Sequence, residues 1–442
     1  MCHSFVPQTM IIKLKMVPQG GKFPMSTICV LLFIAIFYVQ RLSFFSSTTT
    51  FNIFNNSKPC PTLNNTKHGS DGDKLTQKEV INVTWINDIF DLEEEEEEEE
   101  CNFANGKWVF NNSIKPLYTD KSCPYISRPF SCVKNGRLDS HYINWEWQPQ
   151  HCTLPQFDPK LALKKLEGKR LLFVGDSLQQ NQWESFICMV EWIIPEDQKS
   201  MKRRNVHSVF QAKEYNASIE FYWAPMLVES NTEFFVVRDP QKKIVKVDSI
   251  MERAKNWTGV DILVFNSYVW WMNPPVIKTL WGSFGNGEDG YEELDAKIAY
   301  NLGLRTWANW IDSTINPNKT RVFFTTMSPI HTRSSDWGKK DDMKCFNETK
   351  PVTKKNHWGS GSDKGMMSVV AKVVKKMKVA VTFINITQIS EYRIDAHSSV
   401  YTETWGRLLS KEEKSNPQNA DCVHWCLPGL PDTWNRIFLT ML

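Results

Sequence analysis

Lys169-Arg-Leu-Leu-Phe-Val-Gly-Asp-Ser177 is the stretch that sets the fold. Lys169–Val174 is a short, largely apolar run, the mark of a strand buried on both faces of a parallel sheet. Gly175 permits a sharp turn, and Gln179–Val190 then reads as a helix. Ser177 would stand at a strand's carboxyl end and near a helix's amino end, where backbone N–H groups favour a developing oxyanion. The alternative role for such a serine is a helix cap. Further buried-strand runs follow at Asp261–Phe265, Arg321–Thr326 and Val379–Ile384. Helix-like stretches lie at Tyr291–Ile311 and Gly365–Lys376. Strands alternating with helices predict an α/β fold, a mostly parallel sheet covered on both faces. Ligands of such sheets bind at the strands' carboxyl ends.

A serine hydroxyl is a weak nucleophile and needs a base within hydrogen-bond reach. Near the end of the chain stands Ala420-Asp-Cys-Val-His-Trp-Cys-Leu-Pro-Gly429. His424 can take the Ser177 proton, and Asp421 can hold the other ring nitrogen and stabilise the imidazolium. Ser177, His424 and Asp421 are therefore the expected catalytic residues. Asn266 closes a strand run and is either an oxyanion donor through its side-chain amide or a turn residue. Trp270 and Trp271 follow it, and they either stack on sugar faces or pack in the core. Arg137 binds either a polar substrate or a carboxylate of the fold. His331 and His397 read as structural.

The chain has 442 residues, 41% of them hydrophobic, enough for one large domain with additions. With 52 basic and 49 acidic side chains the net charge is +3, so no basic field points to nucleic acid. Core packing explains most of the 18 Trp, and a carbohydrate partner would explain the excess. Ser26–Val39 is an uninterrupted apolar run flanked by further apolar residues to about 45, and it predicts a membrane signal anchor over 26–45. Lys13, Lys15 and Lys22 before it keep residues 1–25 cytosolic and send the remainder into a lumen, a single-pass type II arrangement. A cleaved signal peptide is the rival, but no small-x-small cleavage site follows the run. Residues 46–100 are polar, with eight consecutive Glu at 93–100, and predict a disordered acidic stem.

Nine Asn-x-Ser/Thr sequons, at Asn55, Asn64, Asn82, Asn111, Asn216, Asn256, Asn318, Asn347 and Asn385, agree with a lumenal glycoprotein. Of 11 Cys, Cys2 and Cys29 lie in or before the anchor and Cys60 lies in the stem. The other eight are Cys101, Cys123, Cys132, Cys152, Cys188, Cys345, Cys422 and Cys426, an even set that reads as four disulfides. Cys422 and Cys426 have no second matching pair, so a zinc site is not expected and no metal is assigned. Residues 101–159 are dense in Cys, Trp, Pro and Tyr and read as a loop-rich, disulfide-tied subdomain; 160–442 form the catalytic domain.

Five quoted stretches carry a family resemblance: Cys101-Asn-Phe-Ala-Asn-Gly-Lys-Trp108, Cys132-Val-Lys-Asn-Gly-Arg137, Trp145-Glu-Trp-Gln-Pro149, Gly175-Asp-Ser177, and Asp421 through Asn435. Over 101–442 the sequence resembles the plant trichome birefringence-like proteins, polysaccharide O-acetyltransferases of the Golgi. Phe265-Asn-Ser-Tyr-Val-Trp-Trp271 and Leu430-Pro-Asp432 are similar to the members that act on xylan. The resemblance implies an SGNH (GDSL) hydrolase-like three-layer α/β/α sandwich, a Golgi membrane location and acetyl transfer to xylosyl hydroxyls through an acetyl-serine. It implies no bound cofactor but requires an acetyl donor, either acetyl-CoA or a membrane-delivered carrier, the latter supplied by a partner membrane protein. An acetyl esterase using water and a non-catalytic wall-polymer-binding protein are the alternatives. Trp145 and Trp147 join Trp270 and Trp271 as expected stacking platforms. The implied disulfides are 101–152, 123–188, 132–426 and 345–422. The family commonly has Arg where this chain has Gln180 and Glu146, which bears on substrate preference.

Overall fold

The computed structural model describes residues 101–232, 242–280, 290–404 and 406–442. The expected anchor, the acidic stem, Cys2, Cys29, Cys60 and the sequons at 55, 64 and 82 lie outside the described residues. Among the described residues no helix is long and apolar enough to cross a membrane.

Strands β1 (Gly106–Phe110) and β2 (Trp145–Pro149) form an antiparallel hairpin in the Cys-rich segment. The main sheet uses β3 (Arg170–Gly175), β4 (Lys199–Lys202), β5 (His207–Ala212), β6 (Ala217–Trp223), β7 (Ile262–Phe265), β8 (Arg321–Thr325) and β9 (Val381–Ile384). Their order is β9-β8-β7-β3-β6-β5-β4. The first five run parallel; at one edge β5 runs antiparallel to β6, and β4 runs antiparallel to β5.

Successive side chains of a strand point to opposite faces. In β3, Leu171 and Phe173 enter one core with helix α1 (Ser177–Glu191) and helix α4 (Leu430–Met441). Leu172 and Val174 enter the other with α2 (Ala296–Thr314) and α3 (Lys364–Val374). Helices thus cover both faces. Phe173, Phe186, Phe323 and Phe438 meet at 5.2–6.0 Å between ring centres. Each such buried ring contributes on the order of 2 kcal/mol.

The reading of Tyr291–Ile311 as one helix needs correction. Tyr291–Asp295 is a strand paired antiparallel with Val276–Leu280, and the helix begins at Ala296. Asp295 starts it by accepting from the Lys297 N–H at 2.8 Å, an N-cap that the composition of the stretch hides.

Disulfides join Cys101 to Cys152, Cys123 to Cys188, Cys132 to Cys426 and Cys345 to Cys422, the four pairs the resemblance implies. The first closes the hairpin segment. Cys123–Cys188 ties that segment to α1, and Cys132–Cys426 ties it to the chain just after His424. Tyr118, Phe130, Tyr142 and Trp147 of the segment share one apolar core with α1 and α4. Asn216, Asn256, Asn318, Asn347 and Asn385 are exposed, and Asn111 is half-buried.

Candidate active site

Gly175 ends β3 where no side chain fits. A Cβ there would lie 2.5 Å from the Asn266 carbonyl oxygen and 2.9 Å from the Gln179 Cβ. Gly175→Ala is therefore expected to cost about 1–3 kcal/mol by overpacking, read as a lowered melting temperature. Asp176 caps α1 by accepting from the Leu178 N–H at 2.9 Å. Burial pushes its carboxyl up to about 6. Ser177 is the first residue of the helix, so its N–H has no intrahelical acceptor.

The second half of the site comes from β11 (Asp421–Trp425), which pairs with β10 (His397–Ser399). Three-residue spacing lets one carboxylate organise the whole turn. Asp421 Oδ1 accepts from the Val423 and His424 N–H groups at 3.0 and 3.1 Å. Its Oδ2 lies 2.7 Å from His424 Nδ1, and His424 Nε2 lies 2.7 Å from Ser177 Oγ. Since the carboxylate can only accept, Nδ1 carries the hydrogen and Nε2 is free to receive the serine proton. Burial works against charge on His424, and the neighbouring Asp421 carboxylate outweighs it, so the imidazole keeps its proton to a higher pH than usual. Burial likewise opposes charge on Asp421, and the His424 ring holds that carboxyl far below the usual range.

Asn181, one turn after Ser177, fixes the two halves together. Its fully buried amide accepts from the Trp425 N–H at 2.9 Å and donates to the Trp425 carbonyl at 3.2 Å. The sequence reading missed it. Its signal was the four-residue spacing from Ser177, which puts both on one helix face. Phe130 packs its ring 5.6 Å from the His424 ring, and its carbonyl accepts from Leu427.

Residues 154–441 match the PC-esterase family, a GDSL/SGNH-like acyl-esterase family found in Pmr5 and Cas1p, and residues 99–153 match the PMR5 N-terminal domain. Protein trichome birefringence-like 3 of Arabidopsis thaliana is 59% identical over 429 residues, which cover 96% of this chain and 98% of that protein. The chain belongs to the trichome birefringence-like family. Two rice (Oryza sativa subsp. japonica) relatives are named for an activity. Probable xylan O-acetyltransferase 8 is 53% identical over 77% of this chain and 78% of its own length. Xylan O-acetyltransferase 3 is 43% identical over 77% and 76%.

Three of the expected substrate residues of this trichome birefringence-like chain are core residues instead. Trp271 is 1% exposed, donates its indole N–H to Ser267 Oγ at 3.0 Å and packs on Tyr300. Trp147 is also 1% exposed and donates to the Phe103 carbonyl at 2.7 Å. Neither ring has a face left for a sugar. Arg137 is buried: its guanidinium donates to the His397 and Asp395 carbonyls at 3.0 and 2.7 Å, pairs with Asp139 and lies over the Tyr142 ring. It ties the N-terminal subdomain to the strand beside β11.

Trp270 and Trp145 are half-buried. Trp270 meets Trp223 edge-on at 5.6 Å. Trp145, with Trp108, Gln148, Asn356 and Tyr392, lines a groove of about 690 Å³ between the hairpin and the 351–356 segment. Ser177, Trp270 and Trp271 are not among that groove's lining residues. Asn266 is buried with one amide N–H directed to the Thr325 carbonyl at 3.3 Å, a long bond, and its second N–H has no partner among the described residues. Gln180 donates to Glu184 at 2.9 Å and to Ser127 at 3.2 Å, and Glu146 pairs with Arg436 and Gln156. Both departures from the family pattern thus hold the N-terminal segment to the helices.

Proposed function

We propose that the chain is a xylan O-acetyltransferase that works through an acetyl group carried on Ser177. The observation that supports the chemistry most is the 2.7 Å contact between His424 Nε2 and Ser177 Oγ, backed by Asp421. The names of the rice relatives support the acceptor. His424 Nε2 takes the Ser177 proton as Oγ bonds to the acetyl carbonyl carbon of the donor. The resulting oxyanion is held by the Ser177 N–H and by the second N–H of Asn266. Collapse expels the donor's leaving group, which receives the proton from His424, and leaves acetyl-Ser177. A xylosyl hydroxyl then gives its proton to His424 and attacks the acetyl carbon, and Ser177 leaves with that proton. The acetyl donor is acetyl-CoA or a membrane-delivered carrier. The anchor at 26–45 and a Golgi lumen for the catalytic domain belong to the same proposal.

Water competes for acetyl-Ser177, so a sugar hydroxyl must be held with an effective molarity above that of the solvent, and well-oriented groups reach about 10⁵ M or more. The groove lined by Trp108 and Trp145 is suited to hold a polysaccharide acceptor by stacking, with amides for its hydroxyls. Trp145→Ala is expected to raise the acceptor KM roughly fivefold, a loss of about 1 kcal/mol. Formation of acetyl-Ser177 should be unchanged; an unaltered acceptor KM removes the groove from the account. The reaction itself is tested by supplying the full chain with labelled acetyl donor and xylo-oligosaccharide. Labelled acetyl esters on the sugar are expected. Free acetate alone at saturating acceptor makes the protein an acetyl esterase.

A further inference from the structure

Two histidines stand behind the strand that carries His424, both almost fully buried: His331 at 2% and His397 at 1% exposure. They form a chain between two backbone carbonyls. His397 Nδ1 lies 3.0 Å from the His424 carbonyl oxygen. His397 Nε2 lies 2.7 Å from His331 Nδ1. His331 Nε2 lies 3.1 Å from the Glu391 carbonyl oxygen.

Hydrogens can be counted along this chain. A carbonyl oxygen only accepts, so both outer ring nitrogens must carry a hydrogen. The inner contact needs one hydrogen between its two nitrogens. That makes three hydrogens on four nitrogens. Two neutral imidazoles supply two. A neutral pair would leave a nitrogen lone pair pressed against an oxygen or against another nitrogen.

We infer that the His331–His397 pair carries one extra proton, held on His331 with the Glu391 carboxylate as counter-ion, and that this charged clamp positions the strand bearing His424. Burial first, and the neighbouring His331 second, keep His397 well below the usual range for an imidazole, which leaves it the neutral ring. His331 Nε2 is also 3.8 Å from Glu391 Oε2. Glu391 is fully buried, its Oε2 accepts from the Gly359 N–H at 2.9 Å, and its Oε1 has no hydrogen-bond partner among the described residues. A buried carboxylate of this kind needs a positive neighbour. His357, which also faces Glu391, is pushed down by burial and stays neutral. Asp336 flanks Glu391 across Gly359 and adds negative charge on the same side. On the other side, Asp421 and His424 face His397, and Arg137 holds the His397 carbonyl. Arg393 is spent on Asp395 at 2.9 Å.

The pair acts on the active site through the backbone. His397 holds the His424 carbonyl, stacks on the Trp425 ring at 3.7 Å and pairs with Trp425 in the β10–β11 ladder. Both are positioning residues. Release of the extra proton deprives one carbonyl of its donor and loosens β11.

The inference concerns the charge and rigidity of the pair and does not depend on which acceptor receives the acetyl group. Nine histidines make the chain tractable by histidine-selective ¹⁵N labelling. In the full chain near neutral pH, the spectrum is expected to hold a ring with both nitrogens protonated that is missing from His331→Asn. In Glu391→Gln the proton should leave at a pH about one unit lower or more. The alkaline limb of acetyl-Ser177 formation should move down with it. A bare nitrogen on each of the two rings overturns the charge. A limb that stays in place while the signal moves overturns the positioning role. The spectrum needs no turnover, so it stands apart from the acetyl-transfer proposal, and Glu391→Gln serves if His331→Asn does not fold.

Discussion

Ser177→Ala is expected to lower the rate of acetyl transfer by about 10⁴-fold or more while leaving the melting temperature within a few degrees of the parent, because members of such a triad act as a unit. Ser177 Oγ is engaged by His424 Nε2 at the surface end of α1, and its loss empties no core space. His424→Ala should cost a similar amount, and the double variant should be little worse than either single one. Initial rates with labelled donor, read beside thermal melting, check this. More than about a tenth of parental activity in a folded Ser177→Ala protein, far above the residue that binding and an oxyanion site alone supply, excludes Ser177 as the nucleophile.

Asp421→Asn is expected to cost about 10⁴-fold in kcat, with little change in structure. The amide can no longer hold the Nδ1–H tautomer and stabilise the imidazolium at once. It also moves the acid limb of the pH profile. His424 acts as a base only when neutral. Burial opposes its charge, but Asp421 outweighs burial and raises the value at which it loses its proton. The acid limb of the parental profile therefore lies at higher pH than an ordinary histidine would put it, and activity rises as pH passes through that raised value. Without the carboxylate the raising influence is gone, so the limb should move to lower pH even as the plateau falls. A kcat/KM profile of parent and variant over the acid range measures both effects. An unmoved limb means that Asp421 is not the partner of the titrating base.

The parts of this molecule that were legible in the sequence are those governed by short-range patterns. Four apolar runs became the adjacent parallel strands β3, β7, β8 and β9; the first three are buried on both faces and have no polar alternation to confuse them, while β9 is a half-exposed edge strand. Asp421 and His424 could be paired because the Asp-x-x-His spacing is itself the geometry. What stayed hidden depends on the third dimension. Ala217–Trp223 is wholly buried but carries Glu220, and nothing local says that Arg170 and His207 will pair with it at 2.8 Å. Trp145 and Trp147 look equivalent two residues apart, yet on a strand they belong to different rows of neighbours, and Trp147 went into the core. For Trp271 and Arg137 the sequence leaves a substrate role open beside a structural one, because aromatic and cationic side chains serve both, and the structure uses both to hold the protein together. The spacing of Asn181 from Ser177 gives a shared helix face but no role, which shows only once its partner, the Trp425 backbone, is in place.

Ser177 itself is expected to carry the acetyl group on its way to xylan. This is tested most directly by mixing the full chain with labelled acetyl donor without acceptor, quenching in acid and mapping the peptides by mass spectrometry. One acetyl group is expected on the peptide containing Ser177, absent from Ser177→Ala, and it should disappear on addition of xylo-oligosaccharide as the label arrives on the sugar. Turnover to acetylated xylo-oligosaccharide with no acetyl ever found on Ser177 would contradict this.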